Sequence, residues 1–206
     1  MELKKRDCGI KIKLDPAGNN YLNISFDFYG KELSFSPSSA MEGQFGDFIS
    51  ALYVLYYEHG EGHDGWKQHE SHTEKGTNHI IAVTSTVDWD NEGEVMTIKM
   101  TKDYDENAHD ILIRITIDYG ETFQEFTVND KDLCYAVAKA CTEVLKEYGI
   151  YGYRYSTEYD NFDLHKLLFI KAYALDCMEV RELAHITELT KKSNFEKELE
   201  ILLFDM

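Results

Sequence analysis

Ile10, Ile12 and Leu14 alternate with Lys11 and Lys13, and Leu22, Ile24, Phe26 and Phe28 alternate with Asn23, Ser25 and Asp27. A period of two predicts half-buried antiparallel strands. Asp-Pro-Ala-Gly-Asn-Asn at Asp15–Asn20 reads as the turn between them, and Gly30-Lys31 leads into a short third strand through Leu33 and Phe35. The period then lengthens. Phe45, Phe48, Ile49, Leu52, Tyr53, Leu55 and Tyr56 recur at helical spacing, with Gly60 as the stop. Alternation returns over Ile80–Trp89, Val95–Thr101, Ile111–Ile117 and Thr122–Val128, with Asn91-Glu92-Gly93 and Asp118-Tyr119-Gly120 as hairpin turns. Leu133, Val137, Ala140, Cys141, Val144 and Leu145 predict a second helix, capped by Asn129, running to Tyr148 and stopped by Gly149. Further helices are expected near Leu164–Leu175, Val180–Lys191 and Phe195–Leu203, where Ser193 and Glu196 fit a capping box.

No internal repeat and no βαβ alternation occurs. The predicted fold is therefore α+β: mainly antiparallel sheets of about seven strands, packed by two principal helices, with a C-terminal helical segment. Residues 1–175 are expected to form the α+β domain, and residues 176–206 a helical extension packed on it.

Composition narrows the function classes. The 206 residues are 43% hydrophobic and 13% aromatic, enough for a packed core and too much for a disordered chain. The net charge of −17 argues against direct nucleic-acid binding, whose affinity rests on neutralising phosphate. No apolar run approaches the ~18 residues of a membrane span, and the charged N-terminus has no signal-peptide stretch behind it. Cys8, Cys134, Cys141 and Cys177 form no Cys-x-x-Cys pair, so a reducing, cytoplasmic setting is expected. Nucleophile elbows, phosphate loops and dinucleotide fingerprints are absent from the sequence. The sequence leaves the oligomeric state open.

Residues 59–79 break the pattern. His59, His63, His69, His72 and His79 fall within 21 residues, beside Glu61, Asp64 and Glu70. Imidazoles and carboxylates are the usual ligands of zinc and related ions. The spacing fits no zinc motif, however, because His69-Glu70-Ser71-His72 is one residue short of a His-Glu-x-x-His helix. A solvated polar loop without cofactor is the expectation. The alternative is a divalent metal such as zinc and a hydrolase using Glu61 or Glu70 as base.

Acids and tyrosines supply the other two features. Between Thr86 and Phe126 stand eleven acids and three bases, a local charge of −8. The calcium-like runs there, from Asp88 and from Asp103, lack the closing acid, since Lys99 and Arg114 stand at position twelve. Acids gathered on neighbouring hairpins would instead steer a basic partner. Tyr148, Tyr151, Tyr153, Tyr155 and Tyr159 crowd into twelve residues, and in an extended stretch Tyr151, Tyr153 and Tyr155 would point one way. Rings of this kind suit a protein interface.

Phe45-Gly46-Asp47-Phe48-Ile49-Ser50-Ala51-Leu52 opens an aromatic helix after a meander, and Tyr148-Gly149-Ile150-Tyr151-Gly152-Tyr153 leads on to Phe162-Asp163-Leu164-His165-Lys166-Leu167-Leu168. In this arrangement the chain resembles bacterial immunity proteins of polymorphic or contact-delivered toxin systems. The resemblance implies a non-enzymatic inhibitor that blocks a basic partner such as a toxin nuclease, and it carries over no functional residue. On the residues themselves, Asp88, Asp90, Asp103 and Asp105 are the expected steering acids. Trp89, Tyr104, Tyr151, Tyr153 and Tyr155 are the expected anchors. A nucleic-acid mimic that occupies a DNA-processing enzyme is a further alternative.

Overall fold

Phe28 and Lys31 close the second hairpin across Tyr29 and Gly30, both at positive φ (56° and 89°). That is the signature of a type I′ turn, whose twist matches the strands it joins. Asp27 Oδ1 accepts the Gly30 N–H at 2.6 Å and fixes the turn. Strands β1 (Ile10–Gly18), β2 (Tyr21–Phe28) and β3 (Lys31–Phe35) form an antiparallel sheet in that order. The computed structural model describes residues 3–18, 21–35, 44–57, 61–64, 67–76, 80–91, 94–103, 112–156, 163–177 and 195–206.

A second antiparallel sheet follows chain order: β4 (Glu61–Asp64), β5 (Lys67–Thr73), β6 (Ile80–Asn91), β7 (Glu94–Asp103), β8 (Leu112–Tyr119) and β9 (Thr122–Asn129). The described residues thus hold nine strands, against about seven expected. The excess lies in the histidine-rich segment, which is not a loop: it supplies β4 and β5. Strand β5 pairs with β6 from Lys67↔Val87 to Thr73↔Ile80. Main-chain bonds hold these two strands, β5 to both β4 and β6 and β4 to β5, so they form without the apolar alternation that marks the other strands.

Register fixes the inner face of this sheet. Across β6, β7, β8 and β9 the rows read Val83–Lys102–Ile113–Val128 and Ser85–Met100–Ile115–Phe126. Beyond them come Val87–Ile98–Ile117 and Trp89–Met96–Tyr119. Against this face pack β2 and helix α1 (Gln44–Tyr57). Phe28 meets Phe126 at 4.5 Å between ring centroids, and Trp89 lies 6.5 Å from Phe26 and 6.0 Å from Phe48. Burying each such ring contributes about 1.5–3 kcal/mol.

Helix α2 (Asp130–Ser156) starts where expected, with Asn129 Oδ1 accepting the N–H groups of Lys131 and Asp132 at 3.1 and 3.2 Å. Gly149 leaves the helical region (φ 68°, ψ 170°), but helix resumes beyond this kink and reaches Ser156. Helix α3 (Leu164–Ala174) is buried nearly all round, and α4 (Phe195–Leu203) docks on it through Ile201. Lys171 ties the two together, donating to the carbonyls of Leu202 (3.0 Å) and Phe204 (2.8 Å). The expected helix at Val180–Lys191 and the Ser193 cap lie outside the described residues. No helix among the described residues is long and apolar enough to cross a membrane.

Candidate functional site

Successive residues of a strand face opposite ways, so the inner rows dictate an outer set. On β6 this set includes Ala82, Thr84, Thr86 and Asp88, and on β7 Val95, Thr97, Lys99, Thr101 and Asp103. Strand β8 contributes Leu112, Arg114, Thr116 and Asp118, and β9 Phe123, Glu125 and Thr127. Helix α1 lies on the other side, where Phe48 meets Trp89. The outer face is exposed over β7, β8 and β9, at Lys99, Asp103, Arg114, Asp118 and Glu125, whereas on β6 Ala82 and Thr84 are buried and Thr86 and Asp88 half-buried.

Rows on this face alternate threonine with charge. One reads Asp88–Thr97–Asp118–Phe123, the next Thr86–Lys99–Thr116–Glu125, and a third Glu70–Thr84–Thr101–Arg114–Thr127. Hydroxyls pin the acids and each other. Thr97 donates to Asp88 at 2.6 Å, Thr84 and Thr101 share a bond of 3.1 Å, and His72 Nε2 lies 3.0 Å from the Thr84 hydroxyl. β-Branched threonines hold few rotamers, so the face is stiff. Glu70, Asp88, Asp103, Asp118 and Glu125 outnumber Lys99 and Arg114, leaving a formal −3 with His72 neutral. Phe123, 65% exposed, and Val95 provide apolar contact at one end, and Leu112 at the other.

Of the steering acids expected from sequence, Asp88 and Asp103 do share this face, about 20 Å apart along the strands at ~3.4 Å per residue. Asp90 occupies a β6 register position of the same parity. Trp89 is a correction. It is 2% exposed and packs between Phe26 and Phe48, because the alternation that turns Asp88 outward turns its neighbour into the core. Tyr151, Tyr153 and Tyr155 are a second correction: their backbone is helical, so the common direction of an extended stretch does not arise. Tyr104 and Asp105 lie outside the described residues.

The same test applies to the histidines. His59 and His79 lie outside the described residues. His63 pairs with Gln68 and His69 with Gly62, which places the two histidines at register positions of opposite parity. His72 is engaged by Thr84 and lies 3.4 Å from Glu70. Among the described residues no group of three or more potential ligands gathers as a metal site.

Sequence reasoning counted Asp118 and Glu125 among the region's acids without setting them on one face, and it missed Phe123, although the alternation of β8 and β9 marks all three. It also missed a buried polar cluster. Lys102 continues the inward series Met96, Ile98, Met100 and is 4% exposed, its Nζ 3.6 Å from the centroid of the Tyr56 ring. Tyr56 and Tyr173 both donate to Asp130 Oδ2, and Cys134 Sγ donates to the Tyr56 hydroxyl at 3.5 Å. Burial above all, then the nearby thiol and carboxylate, push the Tyr56 phenol well above its usual pKa. The cluster joins the ends of α1 and β7 to the start of α2 and to α3 beneath the open face.

Compared with protein-family models, with curated proteins and with solved structures, the chain matches none.

Proposed function

We propose that this chain is a non-enzymatic binding protein of the inhibitor type, whose open sheet face takes a basic protein partner such as a toxin nuclease. One observation carries the reading: Glu70, Asp88, Asp103, Asp118 and Glu125 share one face of the sheet, stiffened by threonines, and all but half-buried Asp88 are exposed among the described residues. Summed negative charge accelerates encounter with a basic surface, and Phe123 with Val95 supplies the apolar contact that slows dissociation. The resemblance to immunity proteins gives the same direction, toward a cytoplasmic inhibitor.

The test compares the wild type with a triple variant, Asp103→Lys, Asp118→Lys, Glu125→Lys, as baits in a cell extract. The expected partner is a basic enzyme captured by the wild type alone and inactivated at one-to-one stoichiometry. For the purified pair, association with the variant should be slower by about tenfold or more, with a flatter salt dependence. An unchanged association rate at low salt would remove the steering role. A partner that stays fully active in the complex would remove inhibition, and a DNA-processing enzyme in its place would favour nucleic-acid mimicry.

A further inference from the structure

Strand β9 ends one side of the large sheet and pairs only with β8. The hairpin before it fixes which of its main-chain groups look outward. Tyr119↔Thr122 spans a two-residue loop in which Gly120 has a φ of 58° and Glu121 is not at positive φ, the form of a type II′ turn. The closing pair of such a turn is hydrogen-bonded, so bonded pairs recur at Ile117↔Gln124, Ile115↔Phe126 and Ile113↔Val128. Phe123, Glu125 and Thr127 alternate with these and direct their N–H and C=O groups away from β8. Among the described residues, none of the three bonds to another element.

The edge is also uncovered among the described residues. Thr122, Phe123, Glu125 and Thr127 are exposed, Phe123 at 65%. Of the described elements, β8 and α2 make the substantial contacts of β9. Helix α2 leaves from its far end at Asp130, and β2 passes on the inner side, where Phe28 meets Phe126.

Charge decides what fits. Asp118, Glu121 and Glu125 stand along this edge, all exposed, and none is ion-paired among the described residues. Arg114, the base of the neighbouring strand, lies 3.5 Å from Asp103. A second copy would set Glu121 and Glu125 against the same acids, and like charges facing across strands are destabilising. A basic segment gains from them instead. On the inner side an added strand meets the Phe126 ring and the Lys31 ammonium, 5.7 Å from its centroid, so apolar residues suit that side.

In strand addition, main-chain bonds give affinity and alternate side chains give selectivity. We propose that the basic partner is held by an extended segment of alternating basic and apolar residues, added antiparallel to β9 as a seventh strand of the large sheet. The basic character of that segment rests on the reading of the acidic face as a partner surface.

The probe is the peptide acetyl-Lys-Val-Lys-Val-Lys-Val-Lys-amide, titrated to about 1 mM, the weak end of measurable affinity. Binding is read from amide hydrogen exchange at Glu125 and Thr127, which the peptide is expected to protect. With lysines beside Glu125, their nitrogens face β9 and the valine nitrogens face solvent. Methylation of the lysine nitrogens should thus abolish protection, and methylation of the valine nitrogens should leave it. A Glu-Val analogue should give none, and Glu125→Lys, read at Thr127, should weaken binding by about tenfold. Three results overturn the proposal. One is no protection at the highest concentration, an outcome under which capture of a basic enzyme from the extract would still uphold the acidic face. Another is equal binding of the two methylated peptides, which would reduce the contact to charge on that face. The third is protection that grows with protein concentration without peptide, which would assign the edge to a second copy of the chain.

Discussion

Lys171 is 1% exposed, yet its ammonium donates to the Thr142 hydroxyl at 2.9 Å and to two carbonyls of the C-terminal segment. Burial first, and then the nearby Lys146, lower its pKa to about 8. An unfolded lysine titrates near 10.4, so from about pH 8 to pH 10 the unfolded chain holds more protons than the folded one. The contribution of Lys171 to stability therefore rises with pH across that window, against that of Cys8, whose thiol pKa burial pushes up. Above about pH 10 the sign reverses, because an unfolded tyrosine ionises there while buried Tyr56 keeps its proton. Measured by urea unfolding, the change in stability from about pH 7.5 to 9.5 should be more favourable in the wild type than in Lys171→Met, by on the order of 1–3 kcal/mol. Equal pH profiles in the two proteins would contradict this.

At the scale of elements, Gly149 decides how α2 is built. Its φ of 68° with ψ of 170° lies in a region populated essentially by glycine, and a Cβ placed there would meet nothing within 4 Å. Gly149→Ala should therefore destabilise by about 1–3 kcal/mol through backbone strain alone. Urea unfolding of the single variant measures it, and an unchanged midpoint would show that the helix straightens through the kink at no cost. The same element shows where local reading falls short. Asn129 and Gly149 were legible as cap and break, because each acts through its own backbone. Resumption of the helix through Tyr151, Tyr153 and Tyr155 was not, since tyrosine and glycine are mediocre helix formers and favour neither state strongly.

For the whole molecule, a net charge of −17 means self-repulsion, which destabilises the compact state. Raising salt from about 20 to 200 mM should raise the thermal midpoint, since the Debye length shrinks from roughly 20 Å to under 10 Å. Asp118→Lys should raise it at low salt too, while weakening the association expected of the acidic face. If that variant proved less stable at low salt, repulsion across the face would not be the governing effect. Charge is also unevenly placed, since Glu70, Asp88, Asp103, Asp118 and Glu125 outnumber Lys99 and Arg114 on the outer face of the large sheet.

Local pattern along the chain sets the α+β class, seven of the nine described strands, both principal helices and the parity that puts Asp88 and Asp103 on one face. These follow from periodicity and capping, which act over a few residues. Tertiary structure decided what depends on a distant neighbour. It recruited polar β4 and β5 to the edge of a sheet, turned Trp89 inward against Phe26 and Phe48, and gathered Tyr56, Lys102, Asp130 and Tyr173 from four separate elements. It also set β1 and β4 at sheet edges among the described residues. No local pattern encodes an edge, because an edge is defined by the strand that fails to pair there.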